Sequence, residues 1–199
     1  AYGYGPTDGT SYTFDLTGDY AKADWGVYNA IYNPKTGKTD DPGTWRTLTK
    51  DEWAYLLGTS DNTRGGVNST WWIYNMVKIT DVGNAGVTGT GLIIYPDGVT
   101  EDITGKLSSK AGTTAVSITK ADFDKLEAMG CVFLPAAGYR QENEIGNVQV
   151  HGNYWSSTHS GTGNAYYLIF INNTTSPLDL NYPNLRSFAR SVRLVKDVK

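Results

Sequence analysis

Two segments of the chain repeat their hydrophobic residues with the period of a helix. The first segment, Thr49–Leu57, places Trp53 and Leu56 on one helical face. Its first residue can cap the helix together with Glu52 three positions later, and Gly58 can end it. This pattern predicts an amphipathic helix.

The second helical segment runs over Lys120–Met129. Thr119 precedes it as a cap, Asp122 occupies the third helical position, and Gly130 follows as a terminator. A second amphipathic helix is therefore predicted here. The residues of its apolar stripe are Phe123, Leu126 and Met129.

Shorter apolar runs, bounded by turn residues, predict strands around these helices. The first 45 residues are rich in Gly, Tyr, Asp and Asn and are typical of loops and short edge pieces. Because no repeat or linker divides the chain, we predict one domain over residues 1–199, of the α+β class. The predicted strands are Trp71–Ile79, Gly91–Tyr95, Cys131–Leu134, Tyr154–Ser157, Ala165–Ile171 and Ser191–Val195.

The composition favours a turn-rich and strand-rich domain. The chain has 199 residues, with 23 Gly and 14 Tyr, and a formal net charge of −3. The 17 Lys and Arg residues, set against 20 Asp and Glu, leave little material for a basic face, so nucleic acid is not an expected partner. No apolar run approaches about 18 residues, so no transmembrane segment is predicted.

The residues that could carry catalysis are poorly placed for it. His151 and His159 lie in loop-like sequence near Ser156, and no Gly-x-Ser-x-Gly elbow surrounds that serine. The single cysteine, Cys131, has apolar neighbours typical of a buried thiol, and it excludes both an internal disulfide and a multi-cysteine zinc site. Gly37-Lys38-Thr39 lacks the first glycine of a phosphate-binding loop. We expect no enzymatic activity, no cofactor and no metal.

The C-terminal quarter has an unusual composition. From Ser157 to Leu194, 38 residues contain no Lys, Glu, Gln, Met or Trp. A binding surface rich in Tyr, Asn, Ser and Gly has a similar bias, because Tyr supplies rigid contact area and the small polar residues supply adaptable hydrogen bonds. The residues present are also those reachable from an AAC codon by changes at its adenines alone. The composition is compatible with adenine-directed mutagenesis.

The strand Ala165–Ile171 leaves two readings open. Tyr166, Leu168 and Phe170 share one face, and Tyr167, Ile169 and Ile171 share the other. If one face packs on the core and the other meets water, the second face is an exposed apolar stripe of the kind that binds a partner. The alternative is a strand that is buried on both sides.

Several motifs together resemble one protein family. The segment Trp45–Trp53 is similar to a helix of the C-type lectin-like fold, which sulfatase-modifying (formylglycine-generating) domains share with the variable proteins of diversity-generating retroelements. Other segments resemble secreted or surface proteins of gut anaerobes, and the match runs from Asp24 to Lys199. These segments are Asp24–Gly26, Gly91–Asp97, Val132–Arg140, Tyr154–Thr158 and Ser191–Val195.

This resemblance implies a C-type lectin-like fold with two helices, short antiparallel strands and long loops. It also implies a variable ligand-binding region over about residues 147–190, in which frame residues hold the fold and the positions between them point outward. The implied frame residues are Trp155, Ser156, Ser157, Ala165, Leu168, Phe170, Arg186, Val192, Arg193 and Leu194. The implied ligand-binding residues are His151, Asn153, His159, Ser160, Tyr167, Ile169, Ile171, Asn173, Leu178, Leu180, Tyr182, Asn184, Ser187 and Phe188.

The chain departs from two functional branches of this fold. The formylglycine-generating enzymes work through cysteines in their C-terminal half, whereas the single cysteine of this chain, Cys131, lies in a predicted strand away from that region. The Glu-Pro-Asn, Gln-Pro-Asp and Trp-Asn-Asp motifs of calcium-dependent sugar binding are absent as well. The resemblance therefore implies a non-enzymatic receptor-binding protein, diversified by a retroelement, whose macromolecular ligand is a protein rather than a glycan.

A second reading from a different class stays open. The same frame occurs in surface proteins without a mutagenic cassette, so the chain could instead be a fixed surface adhesin or a structural module of a pilus tip. Both readings place the protein outside the cell, on a bacterial cell surface or a phage particle.

Overall fold

Short strands and three short helices alternate along the part of the chain that the structure describes. The structure is a computed structural model, and it describes residues 24–58, 64, 71–80, 89–107, 111–141, 143–161, 164–172, 178–186 and 188–197. The helices are α1 (Trp25–Tyr28), α2 (Lys50–Leu56) and α3 (Lys120–Ala128). The strands are β1 (Ile31–Asn33), β2 (Lys38–Asp40), β3 (Arg46–Thr47), β4 (Tyr74–Thr80), β5 (Thr90–Ile94), β6 (Ala111–Thr119), β7 (Val132–Pro135), β8 (Tyr139–Gln141), β9 (Glu144–Gly146), β10 (His151–Ser160), β11 (Asn164–Ile171), β12 (Leu178–Leu185) and β13 (Leu194–Val195).

Both predicted helices are confirmed, together with their caps. The Thr49 hydroxyl accepts a hydrogen bond from the Glu52 backbone N–H at 3.1 Å, and the Glu52 carboxylate accepts one from the Thr49 N–H at 2.8 Å. Thr119 and Asp122 form the same reciprocal box at the start of α3. These boxes satisfy N–H groups that the first helical turn leaves without an intrahelical partner.

Charged side chains fasten α2 and its neighbouring strand β3 to the rest of the fold. The Arg46 guanidinium donates two hydrogen bonds to the Glu52 carboxylate, at 2.8 and 2.7 Å. The buried Asp24 carboxylate accepts from the backbone N–H and the hydroxyl of Thr47. The polar residues of the Asp24–Gly26 and Trp45–Trp53 motifs therefore have a structural explanation.

A four-stranded sheet with the order β6-β4-β5-β7 forms one layer. Strands β4 and β6 run parallel, whereas β5 is antiparallel to both β4 and β7. A side chain at Gly91 would meet the Phe133 ring at 2.4 Å, so glycine is required there for the close contact between β5 and β7.

A three-stranded antiparallel sheet with the order β10-β11-β12 forms another layer. The register of β11 against β12 shifts between the pairs Tyr167–Tyr182 and Ile169–Asp179. This irregularity lets Leu178 and Leu180 face the core although Tyr182 faces the opposite way. The other described sheets are two-stranded, and they pair β1 with β2, β3 with β13, and β8 with β9.

The core lies on both faces of the four-stranded sheet. On one face Val77, Ile93 and Ile118 pack against Leu126 of α3. On the other face the sheet packs against α2 and the three-stranded sheet. The buried residues of this second cluster include Trp53, Met76, Leu92, Tyr154, Leu168, Phe170 and Leu180. The helix α2 is thus held between two sheets.

The predicted fold class is wrong. The chain is mostly β, with several small sheets and only short helices, and the structure does not show an α+β, C-type lectin-like fold built on two helices. Both predicted helices exist. The predicted class differs from the structure largely because some strands show no clear alternation of apolar and polar residues. Strand β6 is Ala111–Thr119, an edge strand whose residues are small or polar apart from Val116 and Ile118, and β12 contains Pro183.

Candidate ligand-binding surface

The three-stranded sheet continues sideways through two further segments. Residues 189–191 run beside β10, where the Trp155 N–H donates to the Ser191 carbonyl and the Ser191 N–H donates to the Asn153 carbonyl, both at 3.0 Å. On its other side this segment pairs with β8 through two hydrogen bonds of 2.9 Å between Arg140 and Ala189. We call this hydrogen-bonded surface the C-terminal platform: residues 139–141, 143–160, 164–172, 178–186 and 188–191.

The inner face of the platform belongs to the core. Tyr154, Leu168 and Phe170 are buried there, and the Tyr154 hydroxyl donates to the Pro135 carbonyl at 2.8 Å. The Phe170 ring lies so close to Gly152 that a Cβ atom on that glycine would be 1.9 Å away. Of the implied frame residues, Trp155, Ser156, Ala165, Leu168, Phe170 and Arg186 are buried, Leu194 is half-buried, and Ser157, Val192 and Arg193 are exposed.

The outer face carries an arginine enclosed by aromatic rings. The Arg190 guanidinium lies 3.6 Å from the centroid of the Tyr167 ring and 5.1 Å from that of Trp155. The Phe188 ring is 5.6 Å away, and an Arg190 Nη1–H donates to the Asn153 side-chain oxygen at 2.7 Å. Burial lowers the pKa of Arg190, but a guanidinium stays charged at neutral pH. Arg190 therefore fastens residues 188–191 to the sheet.

Three implied ligand-binding residues are buried, and the expectation that they point outward is wrong. Asn153 is 1% exposed, and Tyr167 and Leu180 are each 5% exposed. Asn153 and Tyr167 are covered by the Arg190 segment, whereas Leu180 belongs to the core cluster between the sheets. Asn153 and Tyr167 are therefore unavailable to a ligand unless the covering segment moves, and Leu180 is unavailable because it lies in the core.

The remaining implied ligand-binding residues divide by exposure. Tyr182, at 57% exposed, and His159 are open to solvent. Leu178 is half-buried against the core cluster, so little of it faces outward. Asn173 and Ser187 lie outside the described residues. The others are half-buried: His151, Ser160, Ile169, Ile171, Asn184 and Phe188.

His151 stands at the end of the platform beside a tight loop. Its Nδ1 atom is 3.4 Å from the Asn147 side-chain nitrogen, and its backbone N–H donates to the Asn147 carbonyl at 2.8 Å. Burial lowers the pKa of His151, so the imidazole is mostly neutral at pH 7. It offers a ligand a hydrogen-bonding group rather than a positive charge.

The platform also exposes large apolar side chains that the sequence patterns did not single out as ligand-binding. Within the described residues, six of the ten exposed large hydrophobic side chains fall between positions 145 and 192, so the exposed apolar surface is concentrated there. Ile145 is 70% exposed. Five of the six lie on the platform, and Val192 directly follows it; the five are Ile145, Val148, Val150, Tyr182 and Leu185.

A strained loop presents two of these side chains. Asn147 and Gln149 have φ angles of +56° and +67°, which residues other than glycine seldom adopt. The Gln149 backbone N–H donates to the Ala136 carbonyl at 2.7 Å, and its side-chain oxygen accepts from the Thr90 N–H at 2.8 Å. These bonds anchor Gln149, while the neighbouring Val148 and Val150 are exposed. In the sequence, only the alternation of these two valines with polar residues could have indicated that both are exposed.

Other chemistry is sparse among the described residues. Cys131 is half-buried, and burial raises the pKa of its thiol to about 12, so the thiol stays protonated at neutral pH. Within the described ranges, no three His, Cys, Asp or Glu side chains come together as a possible metal site. In the same ranges, no helix is both long and apolar enough to cross a membrane.

Comparison with protein-family models, with curated proteins and with solved structures finds no match to this chain.

Proposed function

We propose that this protein is a non-enzymatic binding protein that recognises a macromolecular ligand through the outer face of the C-terminal platform. The observation that carries the proposal is that five of the ten exposed large hydrophobic side chains among the described residues lie on this one hydrogen-bonded surface, with Tyr182 opposite Tyr167 on its outer face. Exposed apolar groups of this kind mark interaction sites, and a protein ligand offers matching apolar area more readily than a glycan does.

The arrangement of the platform supports a division between residues that fold and residues that bind. The inner face is fixed by the core, and the Arg190 cluster fixes the covering segment. Exposed positions such as Tyr182, His159 and Leu185 can change without disturbing either cluster. Surface substitutions of this kind usually shift the free energy of unfolding by less than about 0.5 kcal/mol.

We infer that the exposed positions are diversified, as in the variable proteins of retroelements. The restricted composition of residues 157–194 supports this inference, since every residue there can arise from AAC codons by changes at adenine. Such a protein has to meet its ligand outside the cell, so the proposal includes display on a bacterial surface or a phage particle.

Two matched tyrosine variants test the proposal. Tyr182 on the platform and Tyr32 on β1 are 57% and 62% exposed, and Tyr32 lies outside the platform. The labelled protein is applied to an array of purified surface and secreted proteins, and affinities for each captured protein are measured. Tyr182→Ala should weaken binding about tenfold, a loss of about 1.4 kcal/mol, because aromatic anchors dominate protein interfaces.

The Tyr32→Ala variant serves as the control and should bind within about twofold of the parent protein. Both variants should retain the parent melting temperature. If Tyr32→Ala reduces binding while Tyr182→Ala does not, the platform is not the recognition surface. The array includes surface and secreted proteins from the natural environment of this protein. If none of them is captured, that result would also count against the proposal.

A further inference from the structure

A second concave site lies apart from the platform. It is a cleft of about 370 Å³ between α2, the four-stranded sheet and the C-terminal residues 193–196. Sites for small molecules usually span about 300–1,000 Å³, so this cleft is large enough for a small ligand. None of its lining residues belongs to the platform.

The walls of the cleft are mainly apolar. Its sides come from the core cluster between the two sheets, which contains Trp53, and from the partly buried neighbours of that cluster, which place aliphatic and aromatic side chains around the space. Burying a hydrocarbon chain there would remove apolar surface from water on both partners. The apolar residues that matter most to the argument are Trp53, Leu56, Ile94, Val132, Leu134 and Leu194.

One cation in the cleft wall is fully engaged by the protein. Arg64 is 1% exposed, and its guanidinium donates to the Asp97 carboxylate at 2.7 Å. It also donates to the carbonyl oxygens of Leu56 at 3.0 Å and Tyr95 at 2.6 Å. Because its charge is neutralised by Asp97, Arg64 stiffens the wall and leaves little attraction for a ligand.

Two further cations line the cleft without a strong partner. Arg193 is exposed and forms no ion pair with any described residue. Lys196 lies 3.7 Å from the Asp40 carboxylate and remains 48% exposed. Since Asp97 is already paired with Arg64, the lining has a surplus of positive charge in a protein whose net charge is −3. The charge of the cleft is therefore complementary to an anion.

We propose that this cleft binds an amphipathic monoanion, in which a hydrocarbon chain lies against the apolar walls and a terminal carboxylate pairs with Arg193. The guanidinium of Arg193 can hold a carboxylate with two parallel hydrogen bonds, which gives the bound chain a defined direction. The platform and the cleft are separate surfaces, so this proposal stands or falls independently of the recognition function.

Three ligands that share one chain length test the proposal. Decanoate, 1-decanol and decyltrimethylammonium carry a negative, a neutral and a positive head on the same hydrocarbon chain. Each is titrated calorimetrically into the protein below its aggregation concentration. Decanoate should bind at one saturable site and more tightly than the other two. No saturable binding by decanoate, or equal affinity for all three ligands, would overturn the proposal.

Two variants assign the binding to the cleft. Arg193→Gln should weaken decanoate binding about fivefold, while its effect on 1-decanol should be negligible. Arg140→Gln is the matched control, because Arg140 is an exposed arginine outside the cleft. Leu56→Trp should fill the cleft and block both ligands while the melting temperature shows a folded protein. Unchanged decanoate binding in both Arg193→Gln and Leu56→Trp would contradict the assignment.

Discussion

At the scale of single residues, Arg190 connects the folding of the platform with its proposed binding surface. Its guanidinium stacks on Tyr167 and donates to the Asn153 side-chain oxygen, and both partners lie under the segment that carries Phe188. A lysine at this position keeps the charge but loses the planar group that makes both contacts. The stacking and the hydrogen bond therefore depend on arginine specifically.

The first stability prediction concerns this residue. Arg190→Lys should lower the free energy of unfolding by about 1–2 kcal/mol, because it removes a half-buried hydrogen bond and a cation–π contact. Chemical denaturation measures the change. Arg193→Lys is the control, since Arg193 is exposed and has no described ion-pair partner, and it should stay within about 0.5 kcal/mol. Equal losses in both variants would contradict the role assigned to Arg190.

Residue patterns predicted only part of the candidate site. They indicated that Tyr167 and Ile169 share a face, but they could not show what covers that face. The covering segment comes from residues 188–191, about 20 positions further along the chain, and its backbone bonds to β10 bury Tyr167. Val148 and Val150 are exposed because their neighbours Asn147 and Gln149 adopt positive φ angles. The identity of these two neighbours does not predict such angles.

At the scale of elements, the start of α3 couples stability to pH. The Asp122 carboxylate accepts hydrogen bonds from the Lys106 ammonium and from Thr119. These bonds, that from Lys106 above all, hold the pKa of Asp122 well below its ordinary value of 3.8. A carboxyl group with a lowered pKa in the folded state contributes stability above the unfolded pKa and loses it as the pH falls.

The second stability prediction follows from the lowered pKa of Asp122. Asp122→Asn should lower the free energy of unfolding at pH 7, and the difference from the parent protein should narrow at pH 3. Urea denaturation at the two pH values measures both effects. Asp124→Asn is the control on the same helix, because Asp124 is half exposed and its one ion pair with a described residue is to Lys120, one turn earlier. A difference for Asp122→Asn that is the same at both pH values would contradict the assignment.

The elements that the sequence predicted best are those with local signals. The helices carry their own caps and apolar stripes, so residues close in sequence determined them. Strand β6 pairs in parallel with β4. Its own residues, most of which are small or polar, do not predict a strand, so the pairing with β4 determines its conformation. Strand β12 contains Pro183, which has no N–H to donate, and it is tolerated there because β12 is an edge strand.

At the scale of the whole molecule, the fold class could not be read from these local signals. The helices and most predicted strands exist, yet the way they assemble depends on pairings between residues far apart in sequence, such as β3 with β13. The result is a mostly β protein in which the three-stranded sheet packs on the core with its inner face, while residues 188–191 cover part of its outer face. This arrangement separates the residues that stabilise the fold from those that a ligand can reach.

If folding and recognition reside in different residues of the same platform, deep sequencing of the gene within one population should reveal it. We expect substitutions to be concentrated at exposed platform positions such as Tyr182, Leu185 and His159. The residue types at positions 155, 167 and 190 should not vary, because Trp155, Tyr167 and Arg190 form the Arg190 cluster on the outer face of the platform. Uniformly low diversity across the gene, as in a fixed adhesin or a structural pilus module, would contradict this expectation.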